Sequence, residues 1–84
     1  MIRVQVRVHG LLTAAMADPD AWVEVLLPPA TSVANMIRAL SERLESPLFD
    51  PRSCTATIDE IITAMDHILE EGNRVEIYHL FSGG

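Results

Sequence analysis

Residues 2–9 alternate between β-branched apolar side chains and polar ones. The apolar positions are Ile2, Val4, Val6 and Val8, and the polar positions are Arg3, Gln5, Arg7 and His9. Because successive side chains of a strand point to opposite faces, this pattern predicts a strand with one buried face. Gly10 ends the strand. The helix-forming residues 11–17 are stopped by Asp18, Pro19 and Asp20, which predicts a helical turn within a connection.

The next two elements are also marked by pattern and by stop signals. Residues 22–27 predict a second strand, which Pro28 and Pro29 close, so that the first two strands form a wide hairpin. Thr31 and Ser32 can cap a helix. Apolar residues then follow at helical spacing, at Val33, Met36, Ile37, Leu40 and Leu44. This is the clearest helix in the sequence.

The second half is less regular. Residues 54–58 are rich in Thr and predict a short strand, and residues 75–81 predict the last one. Residues 59–71 allow two interpretations. Their apolar spacing fits a helix that begins after Asp59 and ends at Gly72. They also fit a turn at Asp59 and Glu60, a short strand, and a single helical turn before Gly72.

This order of elements predicts an α+β fold. One strong helix between two hairpin-like pairs must cover one face of a mixed sheet of about five strands, which is the β-grasp, or ubiquitin-like, layout. No linker, repeat or low-complexity segment interrupts residues 1–84, so we expect a single domain.

Charge and composition argue against several classes of function. Asp and Glu number 12 and the basic residues, all Arg, number 6, which gives a net charge of −6. This balance disfavours nucleic acid and anionic membranes as partners. No apolar run approaches the length of a membrane span, and Cys54 has no second cysteine to pair with. We therefore expect a cytoplasmic protein.

Candidate catalytic groups are sparse. His9, His67 and His79 lack the spacing of zinc ligands. Cys54 lies on a predicted strand with no cationic neighbour to stabilise a thiolate, which favours a core position. Glu70 and Glu71 precede a turn and have no opposing carboxylate for acid–base work. We expect no bound cofactor and no metal site.

The carboxyl end offers different chemistry. Gly83 and Gly84 would place a terminal carboxylate on a thin, flexible tail, residues 82–84, because glycine has no Cβ to block a narrow channel. That carboxylate is ionised at neutral pH and can attack the α-phosphate of ATP. As an acyl adenylate it would become a good acyl donor.

The sequence here resembles a known family. The stretch IDEIITAMDHILEEGNRV at 58–75, followed by EIYHLFSGG, resembles the C-terminal half of the small subunit of molybdopterin synthase, the MoaD group of ubiquitin-like sulfur carriers. LLPPATSVANMIRAL at 26–40 resembles the strand, proline turn and capped helix of the same family. The resemblance favours the turn and short strand over a helix at 59–71. Departures lie at 10–14 and at 79–81, where family members contact partners.

The resemblance implies a mechanism and a set of partners. An E1-like adenylyltransferase of the MoeB type would use MgATP to adenylate Gly84. A sulfur donor such as a cysteine desulfurase or a rhodanese would then yield a thiocarboxylate. A MoaE-type large subunit would receive the tail, and the sulfur would enter molybdopterin. Gly84 is thus the reacting residue, Gly83 belongs to the tail, and the expected partner-binding residues are Tyr78, Leu80, Phe81 and Ser82.

Three other functions fit the same residues. A carrier for thiamine thiazole or for tRNA thiolation has the same tail chemistry, although the length of the 10–22 connection favours the molybdopterin carrier. A ubiquitin-like modifier would join its tail to lysines of other proteins. A binding module would have an unreactive tail.

Overall fold

The computed structural model describes residues 1–80, and Phe81, Ser82, Gly83 and Gly84 lie outside the described part. The strands are β1 (Ile2–His9), β2 (Val23–Leu27), β3 (Cys54–Ile58), β4 (Ile61–Thr63) and β5 (Arg74–His79). A 3-10 helix, Gly10–Ala15, follows β1, and the α-helix α1 is Val33–Leu44. No helix within residues 1–80 is long and apolar enough to cross a membrane.

The five strands form one mixed sheet in the order β2-β1-β5-β3-β4. β1 pairs with β5 in parallel, and every other neighbouring pair is antiparallel. The last strand therefore runs through the middle of the sheet between the first and third. This is the β-grasp topology that the sequence predicts.

The helix covers one face of this sheet. Its N-terminus is capped by Ser32, whose Oγ accepts a hydrogen bond of 3.1 Å from the amide of Asn35. It ends at Leu44, where Glu45 adopts a left-handed conformation. The buried helix residues are Val33, Met36, Ile37 and Leu40, as the periodicity predicts. They pack on the apolar face of the sheet, which includes Val4, Val6, Val8, Val25, Ala56, Val75 and Ile77.

Several core residues come from connections, among them Leu12, Phe49 and Leu69. Leu12 lies in the 3-10 helix and is fully buried. Phe49 lies in the loop between α1 and β3 and is only 2% exposed. These side chains fill the core where the helix does not reach, so both loops are held against the domain by apolar burial.

In residues 59–73 the structure differs from part of the sequence prediction. The turn at Asp59 and Glu60 and the short strand β4 are present, but the single helical turn predicted before Gly72 is wrong. Residues 64–69 instead run along the start of α1. The carbonyls of Met65 and His67 accept hydrogen bonds of 2.8 Å from Ala34 and 2.9 Å from Val33. They satisfy amides of the first helical turn, which have no partner inside the helix.

Two strand ends also differ from the prediction. β2 begins at Val23, one residue later than expected. β5 ends at His79, so Leu80 follows the strand, and Phe81 lies outside the described residues.

The β3–β4 turn supplies a stability prediction. Asp59 and Glu60 both have positive φ, 49° and 73°, which a two-residue hairpin of this kind requires and which glycine adopts most easily. We expect Glu60→Gly to raise the free energy of unfolding by about 0.5–1 kcal/mol. Urea unfolding measures the change. The control is Glu42→Gly on the exposed face of α1, which should lower stability by about 1 kcal/mol. A loss of stability in Glu60→Gly would contradict the turn assignment.

Candidate functional site

The candidate site lies at the carboxyl end of β5. His9 of β1 pairs with Tyr78, and Cys54 of β3 pairs with His79, so β5 is paired with β1 up to Tyr78 and with β3 up to its last residue. The amide of Leu80 then donates a hydrogen bond of 2.7 Å to the carbonyl of Ser53. The backbone is thus anchored up to Leu80, which is four residues before Gly84 in the sequence.

The expected partner-binding residues divide into two groups. Tyr78 is half-buried on the outer face of the sheet, which is the face away from α1, and Leu80 follows it with 61% of its surface exposed. These two residues therefore lie at the carboxyl end of β5. The other expected site residues, Phe81, Ser82, Gly83 and Gly84, lie outside the described residues.

A polar network crosses the outer face next to Tyr78. Nη2 of Arg7 donates a hydrogen bond of 2.9 Å to Oε1 of Glu76, and Nε2 of His9 lies 2.8 Å from the same oxygen. The ring of His9 stacks on Tyr78, with centroids 4.4 Å apart and an angle of 6° between the planes. The network joins the middle of the sheet to the carboxyl end of β5, and it brings Arg7 and His9, which the sequence placed on one face of β1, into contact with β5.

Glu76 is the charged centre of this network. Its side chain is 13% exposed. The hydrogen bond from Arg7, and then the one from His9, hold the pKa of the Glu76 carboxyl below its ordinary value of 4.5. A lowered pKa in the folded state means that the ionised carboxylate stabilises the fold above the unfolded pKa. This stabilisation is lost as the pH falls through the folded pKa.

We therefore expect Glu76→Gln to lower the free energy of unfolding at pH 7 by about 1.5–3 kcal/mol, because the charge-assisted hydrogen bonds are weakened. The difference from wild type should shrink as the pH falls below 4.5, where the unfolded chain protonates first. Urea unfolding over pH 3–7 measures this. A difference that stays constant over the range would contradict the role assigned to the ionised carboxylate.

The thiol of Cys54, another candidate group, lies in the core and not on this face of the sheet. Cys54 is buried, its Sγ lies 3.5 Å from the carbonyl oxygen of Leu48, and burial raises the pKa of its thiol. A buried thiol with a raised pKa is a poor nucleophile at neutral pH. Among residues 1–80, no three His, Cys, Asp or Glu side chains are arranged to hold a metal ion.

A second feature of the outer face is a cation–π contact that the sequence pattern does not predict. The guanidinium carbons of Arg7 and Arg74 lie 4.6 Å and 4.3 Å from the ring centroid of Trp22. Both are cation–π distances. Trp22 precedes β2, so this contact joins the connection after the 3-10 helix to β1 and β5.

The topology and the central position of the last strand define a ubiquitin-like β-grasp protein. Solved structures share this fold over nearly the whole chain. One is a candidate molybdopterin converting factor subunit 1 from Pyrococcus furiosus, with a TM-score of 0.75, 17% identity, and coverage of 96% of this chain and 100% of the other. SAMP1 from Haloferax volcanii has a TM-score of 0.71, 17% identity, and coverage of 98% and 99%.

A ubiquitin from Caldiarchaeum subterraneum has the same fold at a TM-score of 0.63, with 10% identity and coverage of 99% and 98%. No protein-family model matches the sequence. No curated protein matches it significantly. The resemblance to the small subunit of molybdopterin synthase is thus matched by a structural neighbour at the level of the fold.

Proposed function

We propose that this chain is a ubiquitin-like sulfur carrier that acts through the carboxylate of Gly84. The observation that carries the proposal is the placement of β5. The strand runs through the centre of the sheet, and the hydrogen bond from Leu80 to Ser53 anchors it just before a sequence that ends in Ser-Gly-Gly. A last strand that is held in the sheet up to this point suits a protein whose reactive group must enter a partner's active site.

The chemistry requires three steps on Gly84. A carboxylate oxygen attacks the α-phosphorus of MgATP on an E1-like adenylyltransferase of the MoeB type, and pyrophosphate leaves. The terminal sulfur of a persulfide on a donor such as a cysteine desulfurase or a rhodanese then attacks the acyl carbon, and AMP leaves. A thiol reductant, which is itself oxidised to a disulfide, cleaves the S–S bond of the resulting acyl disulfide and returns the donor's cysteine thiol. Sulfur now occupies the place of a carboxylate oxygen. The carrier supplies the acyl group, and the partners supply the catalytic groups.

We further propose molybdopterin synthesis as the pathway, with this chain as the small subunit of molybdopterin synthase beside a MoaE-type large subunit. The support is the resemblance of 58–84 to that family and the similarity in fold to the Pyrococcus protein, which is named as a molybdopterin converting factor. Tyr78 and Leu80 would contact the partner that receives the tail, together with Phe81 and Ser82. Carriers for thiamine thiazole or tRNA thiolation are the alternatives within this class.

A ubiquitin-like modifier is the second candidate function, and the similarity in fold to the Caldiarchaeum ubiquitin favours it. The chain contains no Lys. A modifier built on it could not form lysine-linked chains of its own copies, but it could be attached to lysines of other proteins.

Intact-mass measurement separates these functions. The protein is incubated with its adenylyltransferase, MgATP and a sulfur donor. A sulfur carrier exchanges one oxygen for one sulfur, and only when ATP is present. Adducts of this chain on other proteins, without the exchange, would support the modifier. An unchanged mass with a demonstrably active adenylyltransferase would contradict both.

A further inference from the structure

Arg74 is a cation without a carboxylate partner among residues 1–80. Ion pairs join Arg3 to Glu71, Arg7 to Glu76, and Arg52 to Asp50, whereas the structure records none for Arg74. Its guanidinium lies over Trp22 instead, and the residue is exposed. Stacking restricts the long side chain, so the guanidinium is held in place before any partner arrives.

Arg7 lies on the same indole ring. Its Nη2 is bonded to Glu76, and its Nε is buried within the described residues and is not accessible to a ligand. Since Arg7 and Arg74 both pack on Trp22, two positive charges lie around one indole ring, and the guanidinium of Arg74 is the one that remains open to a partner.

These side chains line a groove on the outer face with a volume of about 490 Å³. Its walls are Arg7, Trp22, Asp59, Glu60, Arg74 and Glu76. The Asp59 carboxylate accepts a hydrogen bond of 3.2 Å from the backbone amide of Arg74, so it is engaged with the backbone of β5. The groove thus has a cationic and aromatic side and an acidic rim.

We propose that this groove binds an acidic side chain, Glu or Asp, of a protein partner. The planar guanidinium of Arg74 matches a carboxylate, the nearby guanidinium of Arg7 adds positive charge, and Trp22 packs against the apolar stem of the incoming residue. A dianionic phosphate is disfavoured because Asp59, Glu60 and Glu76 repel a second negative charge more strongly than a single one.

The groove is separate from the proposed reactive end. It lies at the amino end of β5, and residues 74–80 span about 20 Å at strand spacing. A partner held at Arg74 therefore contacts the sheet at the opposite end of β5 from Leu80, the last described residue. The groove does not depend on sulfur chemistry at Gly84, and it would serve a carrier or a modifier equally well.

The test uses the full chain and two capped pentapeptides, Gly-Ala-Glu-Ala-Gly and Gly-Ala-Gln-Ala-Gly, in an NMR titration at low salt. We expect saturable shifts of the Trp22 indole N–H and of the Arg7 and Arg74 Nε–H signals with the Glu peptide only. Arg74→Gln should weaken binding about fivefold or more, and 0.5 M salt should do the same. Arg74→Lys should fall between wild type and Arg74→Gln.

The matched control is Arg38→Gln, which removes an exposed arginine from α1 and should leave binding unchanged. Equal shifts with the Gln peptide, equal affinity in Arg74→Gln, or tighter binding of inorganic phosphate than of the Glu peptide would overturn the proposal. Because the spectrum of each variant also reports its fold, a misfolded variant is recognised directly, and the comparison of the two peptides on wild type then decides the question.

Discussion

Deleting Gly83 and Gly84 is expected to abolish sulfur labelling completely while leaving the stability of the domain within about 0.5 kcal/mol of wild type. The reason is that the proposed reaction occurs on the carboxylate of Gly84, whereas the buried core of the described residues ends at Ile77. The truncated chain would present a different carboxylate on Ser82, whose side chain would hinder entry into a narrow channel. Intact mass after incubation with MgATP, adenylyltransferase and sulfur donor measures the labelling, and urea unfolding measures the stability.

The control for this deletion is Cys54→Ala, because Cys54 is the one other residue that could carry transferred sulfur. Its thiol is buried and has a raised pKa, so labelling should be unchanged in this variant. Labelling that survives the deletion, or a truncated chain that no longer folds, would contradict the assignment of the carboxyl end as a reactive tail.

Phe49→Ala is expected to lower the free energy of unfolding by about 3–5 kcal/mol, a large part of the stability of a small domain. The ring is 2% exposed and packs in the core from a loop, so truncation leaves a cavity that the sheet and helix cannot close. At this chain length the melting temperature should fall by about 12 °C or more. Thermal and urea unfolding followed by circular dichroism measure the loss.

The neighbouring residue provides the control. Leu48 is 36% exposed, and Leu48→Ala should cost about 1 kcal/mol or less. Similar losses for the two variants would show that the loop is not held by Phe49.

The elements whose pattern is local could be predicted from the sequence. β1 alternates with period two, and α1 combines a Ser cap with apolar residues at helical spacing, so no distant contact is needed to define either element. Phe49 could not be placed, because a single aromatic residue in a loop carries no periodic signal, and its burial depends on the space left between α1 and the sheet.

Residues 59–71 show where a local pattern misleads. Ile61, Ile62, Met65 and Ile68 have helical spacing, yet three of them are exposed and the segment forms a short strand followed by irregular backbone. The deciding interaction is distant in sequence, since the carbonyls of Met65 and His67 complete the first turn of α1. Hydrogen bonds of this kind override a modest helix propensity.

The outer face could be predicted only in part. The alternation of β1 and β5 places Arg7 and Glu76 on polar faces, but their contact spans 69 positions and requires the parallel pairing of the first and last strands. The packing of Arg7 and Arg74 on Trp22 depends on the path of the connection before β2, which no local pattern describes. The proposed chemistry at Gly84, in contrast, comes from the sequence alone.

The most direct test of the account is tandem mass spectrometry of the wild-type chain after incubation with adenylyltransferase, MgATP and a sulfur donor. We expect one sulfur to replace one oxygen in the fragment that contains Gly84, and we expect this exchange to require ATP. Sulfur found as an addition to Cys54, or an unmodified Gly84 beside an adenylyltransferase that is active on another carrier, would contradict it.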